Sequence, residues 1–336
     1  MIKDAVKLLV QKQDISAETA ETVMNEIMSG EASDIEISAY LTALRTKGET
    51  IEEITASARG MRNACKHLLH EMDVLEIVGT GGDEAYTFNI STITGFIISA
   101  AGVPVAKHGN RSVSSKCGAA DILESLGANI TIEPEKSAEI LKNIGFCFMF
   151  AQKYHPSMKY VANVRKTLGI RTMFNVLGPL SNPAGANMEL MGVYDKSLIK
   201  PLAQVMANLG VKSGMVVHGS DGLDEITMTG ITYACIIKNG SIEEIIINPE
   251  DYGFNLCDSQ ELVGGAPEIN KQIALDILSG KEIGAKRDVV LLNAGVCLFI
   301  ADKASSIPEG IAQAESALSS GAAFNKLEKY IKLSNS

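Results

Sequence analysis

Three features of the sequence predict an α/β protein, with a small α-helical domain joined to a larger α/β domain whose central sheet is mostly parallel but mixed. The first 65 or so residues carry helical periodicity only. From Val74 the period changes, and short Val/Ile-rich runs alternate with helical segments, the pattern of a parallel sheet covered by helices. Late in the chain, "ITYACIIKNGSIEEIIIN" sets two β-rich runs around Asn239-Gly240, a type I′ hairpin signal that adds antiparallel strands. With 336 residues and 46% hydrophobic content, the chain is long enough for one large core, or for a large and a small domain sharing the work.

At the start, "MIKDAVKLLVQKQD" interleaves acid and base with apolar spacing, which reads as an amphipathic helix and not as a secretory signal. Ser33 with Glu36 and Thr50 with Glu53 form capping boxes, and Gly30 and Gly48 stand where helices should stop, so four short helices fit. Strands are expected at 74–78, 103–106, 128–132, 146–150 and 214–218, with helices over 93–101 and 119–126. "YHPSMKYVANVRKTLGIRTMFNVLGPLSNPAG" and then "PLAQVMANLG" read as helical, with Pro and Gly punctuation between. Its part near 155–185 is expected to rejoin the helical domain. The division is therefore 1–70 plus that segment for the helical domain, and 71–154 with 186–336 for the α/β domain. Neither an internal repeat nor a low-complexity linker is present.

Composition excludes several classes. A formal charge of -10, no Trp and 5% aromatics argue against nucleic-acid binding, which wants a basic face and stacking platforms. The longest apolar stretch, "GFIISAAGVPVA", falls well short of the roughly 20 residues needed to span a bilayer. Cysteines at 65, 117, 147, 235, 257 and 297 form no Cys-x-x-Cys pair, so reduced thiols in a cytoplasmic protein are expected.

Four stretches carry possible chemistry. Gly79, Gly81 and Gly82 follow a strand, where open α/β folds place ligands and where bare backbone N–H groups and a helix N-terminus suit a phosphate; a purely structural turn fits as well. Glu84 breaks the glycine register of a dinucleotide fingerprint, and no Gly-x-x-x-x-Gly-Lys-Ser/Thr loop exists. After the next expected strand, the segment from Lys107 to Lys116 concentrates cations, hydroxyls and Asn110 in one polar loop. His108 has no ligand partner at useful spacing. In "HGSDGLDEIT", the adjacent Asp224 and Glu225 suit one hard cation, Mg²⁺ being held by carboxylates, waters and substrate phosphates; an acidic surface turn is the plainer alternative. A helix N-terminus supplies only about half a charge, so a pyrophosphate there needs metal, with Asp83, Ser91, Asp224 and Glu225 as the oxygen ligands on offer. In "NVRKTLGIRT", Arg165, Lys166 and Arg171 either coat a helix or offer one guanidinium to a carboxylate, and periodicity does not choose.

Together, "GTGGDEAYTFNIST", "KHGNRSVSS", "NVRKTLGIRTMFNVLGPLSNPA" and "GLDEIT", in this order, resemble the anthranilate phosphoribosyltransferase family over essentially the whole chain. The resemblance implies a nucleoside-phosphorylase-like fold, a homodimer formed through the helical domain, and transfer of phosphoribosyl from phosphoribosyl pyrophosphate to the amine of anthranilate with Mg²⁺. It implies that Gly79, Gly82, Asp83, Thr87, Asn89, Ile90, Ser91 and Thr92 hold phosphoribosyl pyrophosphate. On the other side, Lys107, His108, Gly109, Asn110, Arg111, Ser112, Val113, Ser114, Ser115 and Ala119 do so. Gly79, Asn110 and Arg165 would meet anthranilate, and Ser91, Asp224 and Glu225 the metal; no general base is assigned. This chain departs from many relatives in carrying Glu84 where they have Gly, and Cys117 and Ala119 where they have serines. Ala119 offers only its backbone N–H. Two rivals are weaker: a pyrimidine nucleoside phosphorylase, whose lysine-serine phosphate signature is missing around Gly79, and a non-catalytic nucleic-acid-binding relative, which the charge disfavours.

Overall fold

A computed structural model describes residues 1–112 and 115–336. Val113 and Ser114, both named above as phosphate contacts, lie outside the described residues. The chain opens with α1 (Ile2–Leu9), α2 (Ala17–Ser29), α3 (Asp34–Lys47) and α4 (Ile51–Asn63). Both capping boxes form: Ser33 and Thr50 accept from the third helical N–H, while Glu36 and Glu53 accept from the cap backbone. Gly30 ends α2 in the left-handed region at φ 80°, and Gly48 ends α3 at φ 94°.

The α/β part runs β1 (Leu75–Gly79), α5 (Ile90–Ala100), β2 (Val105–Gly109), α6 (Ala119–Ser125), α7 (Pro134–Ile144), β3 (Phe146–Phe150). There follow α8 (Ala151–Tyr154), α9 (Lys159–Leu168) and α10 (Phe174–Leu177), then β4 (Met188–Gly192), α11 (Ile199–Asn208) and β5 (Ser213–Gly219). The hairpin β6 (Thr232–Lys238) and β7 (Ser241–Ile247) and helices α12 (Pro267–Leu278), α13 (Ala285–Ile300), α14 (Ile307–Ser319) and α15 (Ala322–Ser334) complete it. Asn239 and Gly240 both have positive φ, 49° and 83°, as a type I′ turn requires.

The seven strands lie in the order β3-β2-β1-β4-β5-β6-β7, parallel from β3 to β5 and antiparallel from there. From β1 the chain moves outward to β2 and β3, then returns to place β4 on the other flank of β1. That reversal opens a crevice at the carboxyl ends of β1 and β4, where such sheets bind ligands. The helices α5 and α13 cover one face of the sheet, and α11 the other. The second face is not closed by α11 alone: Val216, Cys235 and Ile237 share one continuous apolar core with Met24, Ile27 and Leu44 of the N-terminal helices. Val161 and Val164 of α9 and Phe174 of α10 join that same core, with α9 packed on α3.

Two expectations fail. Residues 128–132 are not a strand but extended coil between α6 and α7. Ile130 and Ile132 alternate inward with exposed Asn129 and Thr131, which mimics strand periodicity, but β2 already has β1 and β3 as neighbours and the segment pairs with no strand. Conversely, β4 forms where no strand is expected. Its "MELMG" carries no β-branched residue and places a buried glutamate in a central strand. Among the described residues no helix is long and apolar enough to cross a membrane, and all six cysteines are free.

Candidate active site

The crevice is built first from glycines. Gly79 closes β1 opposite Gly192 of β4, and the Thr80 N–H donates to the Gly192 carbonyl at 3.0 Å. A Cβ on Gly79 would lie 2.3 Å from the Asp224 Oδ2, and one on Gly192 only 1.6 Å from the Asp224 carbonyl oxygen. Both strand ends must therefore lack side chains for the turn after β5 to insert Asp224 between them. Gly81 and Gly82 take positive φ, 70° and 80°, and the Gly81 N–H donates to Asp224 Oδ2 at 2.6 Å. The N–H of Ala85 donates to Asp83 Oδ1 at 3.2 Å, which turns the chain toward α5.

Glu84 also sits in the left-handed region, φ 58°, and is exposed. A glycine would adopt that backbone at no steric cost, so the departure at 84 is a conformational one. It does not bring a further carboxylate into the crevice.

Asp224 is buried and Glu225 half-buried beside Asp83. Burial, then the neighbouring Asp83 and Glu225, push the Asp224 carboxyl well above the usual range. Burial likewise moves Glu225 up to about 7, opposed by Lys107 and by the N–H and hydroxyl of Ser91, in the first turn of α5. Three mutually repelling carboxylates at a helix N-terminus want a cation, and oxygen donors suit Mg²⁺. Among the described residues no group of three or more His, Cys, Asp or Glu forms a ready cage.

Lys107, 2% exposed, stands beneath this cluster on β2. Its Nζ donates to the Ile77 carbonyl at 2.6 Å and to Ser91 Oγ at 3.1 Å. Burial lowers its pKa, while Glu76 and Glu225 hold it up. The ammonium thus balances buried acids below the crevice. His108 is buried too: its backbone N–H donates to Glu76 Oε2 at 2.8 Å, and its ring lies 5.0 Å from that of His155. Burial and the second imidazole depress its pKa well below the ordinary value, so the ring stays neutral.

The second loop is drawn around Asp121, in the first turn of α6. Its Oδ2 accepts from the N–H groups of Ser112, at 2.9 Å, and Gly118, at 2.8 Å. Gly118 leaves no room for a Cβ, which would lie 2.4 Å from the Ser112 nitrogen. Arg111 turns outward and pairs with Asp121 and Glu124 at 2.9 and 2.8 Å. The Asn110 carbonyl accepts from the Ala120 N–H at 3.1 Å, and Ala119 is the first residue of α6. Asn89 joins the two loops: its Nδ2 donates to the Cys117 carbonyl at 3.0 Å and its Oδ1 accepts from Asn270 at 2.9 Å. Thr87 bridges to Val263, fastening the approach to α5.

From the helical side, Arg165 lies in the last turn of α9 with its guanidinium 5.6 Å from the Phe174 ring centre. Among the described residues it has no acidic or hydrogen-bonding partner, and burial lowers its pKa. Arg171 reaches the crevice instead, donating to the Gly82 carbonyl at 2.7 Å while lying 4.0 Å over Tyr194. The structure thus gathers Gly79, Asp83, Ser91, Lys107, Asp224 and Glu225, joins them through Asn89 to Cys117 just past the second loop, and leaves Arg111 tied to Asp121 and Glu124. Sequence reading missed Gly192, Asp121, Asn270 and Glu76. Only Asp121, three residues after Gly118 at a helix start, had a legible signal.

Residues 71–324 match the description "Glycosyl transferase family, a/b domain", and residues 3–65 "Glycosyl transferase family, helical bundle domain". The chain is 59% identical over 335 residues to an anthranilate phosphoribosyltransferase of Lachnoclostridium phytofermentans, covering 100% of this chain and 99% of the relative. It is 56% identical to one of Methanobrevibacter smithii, over the full length of both. Its fold superposes on the anthranilate phosphoribosyltransferase of Thermus thermophilus with TM-score 0.94, at 40% identity, covering 99% and 100% of the two chains. The enzyme of Saccharomyces cerevisiae in complex with PRPP and Mg superposes at TM-score 0.91 with 27% identity, covering 99% and 98%.

Proposed function

From the premise that the chain belongs to the anthranilate phosphoribosyltransferase family, we propose how this crevice does that family's work. The protein transfers phosphoribosyl from 5-phosphoribosyl 1-pyrophosphate to the amine of anthranilate, giving N-(5-phosphoribosyl)anthranilate and pyrophosphate, a step of tryptophan biosynthesis. The observation that carries the site assignment is Asp224 wedged between Gly79 and Gly192, beside Asp83, Glu225 and the start of α5.

Pyrophosphate lies over the 79–83 turn and the N-terminus of α5, against Asn89, Ile90, Ser91 and Thr92. The 107–115 loop and the N–H of Ala119 close on the phosphoribosyl part from the other wall. Ser91, Asp224 and Glu225 hold Mg²⁺, which when bound supplies positive charge to the leaving pyrophosphate. Arg165, short of any protein counter-ion among the described residues, takes the carboxylate of anthranilate, with Gly79 and Asn110 beside the acceptor ring. The aromatic amine is already an unprotonated nucleophile at neutral pH, so positioning does most of the work and a proton leaves late. No general base is assigned; the neutral, buried His108 lacks a reason to be one.

The division proposed is residues 1–70 with 155–185 as the helical lobe and the remainder as the phosphoribosyl pyrophosphate lobe, supported by the packing of α9 on α3. A homodimer through the helical lobe is supported by Ile35, 81% exposed, and Val10, 65% exposed, each lining a groove on the outer side of α1, α3 and α9. Six free thiols fit a cytoplasmic setting. The deciding experiment mixes protein, phosphoribosyl pyrophosphate, Mg²⁺ and anthranilate and follows anthranilate fluorescence: steady loss is expected, and no loss overturns the assignment.

A further inference from the structure

Glu76 lies in β1, at the floor of the crevice, where nothing in the transfer chemistry above uses it. It is 0% exposed, and its Oε2 is the meeting point of two segments. One is the end of β2 from which the second loop departs, through the His108 N–H at 2.8 Å. The other is the "GPLSNP" segment, through the Asn182 side-chain amide. Asn182, 3% exposed, donates from the same nitrogen to the Ala106 carbonyl at 2.9 Å and accepts from the Ala184 N–H at 2.8 Å. One carboxylate and one amide thus tie together β1, the root of the second loop on β2, and the turn that follows α10.

A glutamate is an expensive way to fill a strand interior, since burying a carboxylate costs several kcal/mol unless it is paired and bonded. A mere core position would be served by Ile or Val. What the carboxyl group supplies is an acceptor oxygen that takes a backbone N–H and a side-chain amide at one point; burial raises its pKa to about 8, and the nearby Lys107 works against that rise. The two walls it links carry different substrates in the reading above: the 107–115 loop the phosphoribosyl donor, and the α9–α10 segment, through Arg165, the acceptor.

We propose that Glu76, acting with Asn182, is a positioning residue that sets the separation of the donor and acceptor walls. It touches neither substrate. It rests on the assignment of the two walls, and its signature differs from that of a contact residue: registration errors lower the rate of the bound complex more than they weaken either substrate.

The test uses the full-length wild type, Glu76→Leu, Glu76→Gln and Asn182→Ala. Binding-competent sites are counted by titration with phosphoribosyl pyrophosphate and Mg²⁺, and kcat is expressed per competent site. Glu76→Leu and Asn182→Ala should lose roughly 10- to 100-fold in kcat per site, with both KM values moving less than about threefold. Glu76→Gln, which keeps an acceptor oxygen at the same point, should recover most of that loss. The proposal is overturned if both damaging variants turn over at the wild-type rate per site, if only the KM values move, or if Glu76→Gln falls as far as Glu76→Leu. Failure of both Glu76→Leu and Asn182→Ala to fold would make the bridge a folding element and overturn it too. A wild type that leaves anthranilate unchanged would instead remove the assignment of the reaction itself.

Discussion

Gly79→Ala is the most direct probe of the crevice. The added Cβ would stand 2.3 Å from Asp224 Oδ2, 2.8 Å from its Cγ and 3.0 Å from its carbonyl oxygen, where ordinary contact begins near 3.4 Å. The carboxylate has to withdraw by about 1 Å, and its 2.6 Å bond from the Gly81 N–H goes with it. Overpacking of this kind costs about 1–3 kcal/mol of stability, and a misplacement of about 1 Å in a metal-holding group costs about 100-fold in rate. Steady-state loss of anthranilate fluorescence, measured across a Mg²⁺ titration, should show both a fall in kcat and a higher Mg²⁺ requirement. Gly81→Ala provides the contrast: its Cβ meets nothing within 4 Å, so only the positive φ is strained, at about 1 kcal/mol, and the rate should suffer far less. If Gly79→Ala matched wild type within about twofold at every Mg²⁺ concentration, the packing of Asp224 against the strand end would have no bearing on metal or turnover.

Four further outcomes are expected. Asp224→Asn combined with Glu225→Gln should cut turnover by about 100-fold or more or shift its Mg²⁺ dependence; unchanged kinetics at limiting Mg²⁺ would take both residues out of the site. Arg165→Ala should raise KM for anthranilate and leave that for phosphoribosyl pyrophosphate alone, since among the described residues the guanidinium has no partner to release; a change confined to the donor's KM would reverse its placement. Burial lifts Glu189 from 4.5 to about 8, so the folded form keeps a proton that the unfolded chain gives up above pH 4.5. That stability is fully present below pH 4.5 and is lost as pH rises toward 8, and Glu189→Gln should flatten the fall in Tm over that same window; an identical slope in the two proteins would refute the assignment. Glu84→Gly should add about 0.5–1 kcal/mol in a denaturant titration by relieving a left-handed glutamate, with turnover unchanged, and a loss of stability would show that the side chain has a contact.

Much of the fold was legible because the relevant signals are local. Capping boxes at Ser33 and Thr50, the Asn239-Gly240 turn and the β-branched runs each specify their own geometry within a few residues. The misses are tertiary. The alternation in 128–132 is real, but strand identity depends on a free neighbour, and β2 has none to give. In β4, Glu189 occupies an interior position that propensity disfavours; burial raises its pKa to about 8 against the opposing pull of Arg62 of α4, neither of which local spacing announces. The same division runs through the site. Glycines, hydroxyls and the Asp224-Glu225 pair announce themselves by type and spacing. Asn182 acts on Glu76 from 106 residues away and Asn270 on Asn89 from 181, and nothing in one sequence marks the distance across which they act.

The apolar core shared by the N-terminal helices and one face of the sheet also constrains how this molecule can move. Two lobes that met only through solvent-exposed linkers would swing apart as rigid bodies. Here α4 packs on α11, and Val216 and Ile237 lie in one core with Met24 and Leu44, so a wide opening would uncover buried hydrocarbon at about 25 cal/mol for each Å². The continuous core thus resists a wide swing of the helical lobe more than it resists small sliding displacements of interlocked side chains. The same continuity makes the helical lobe inseparable from the rest: a chain begun after residue 65 would present a bare greasy sheet face to water and aggregate, while the intact protein should melt in a single cooperative step.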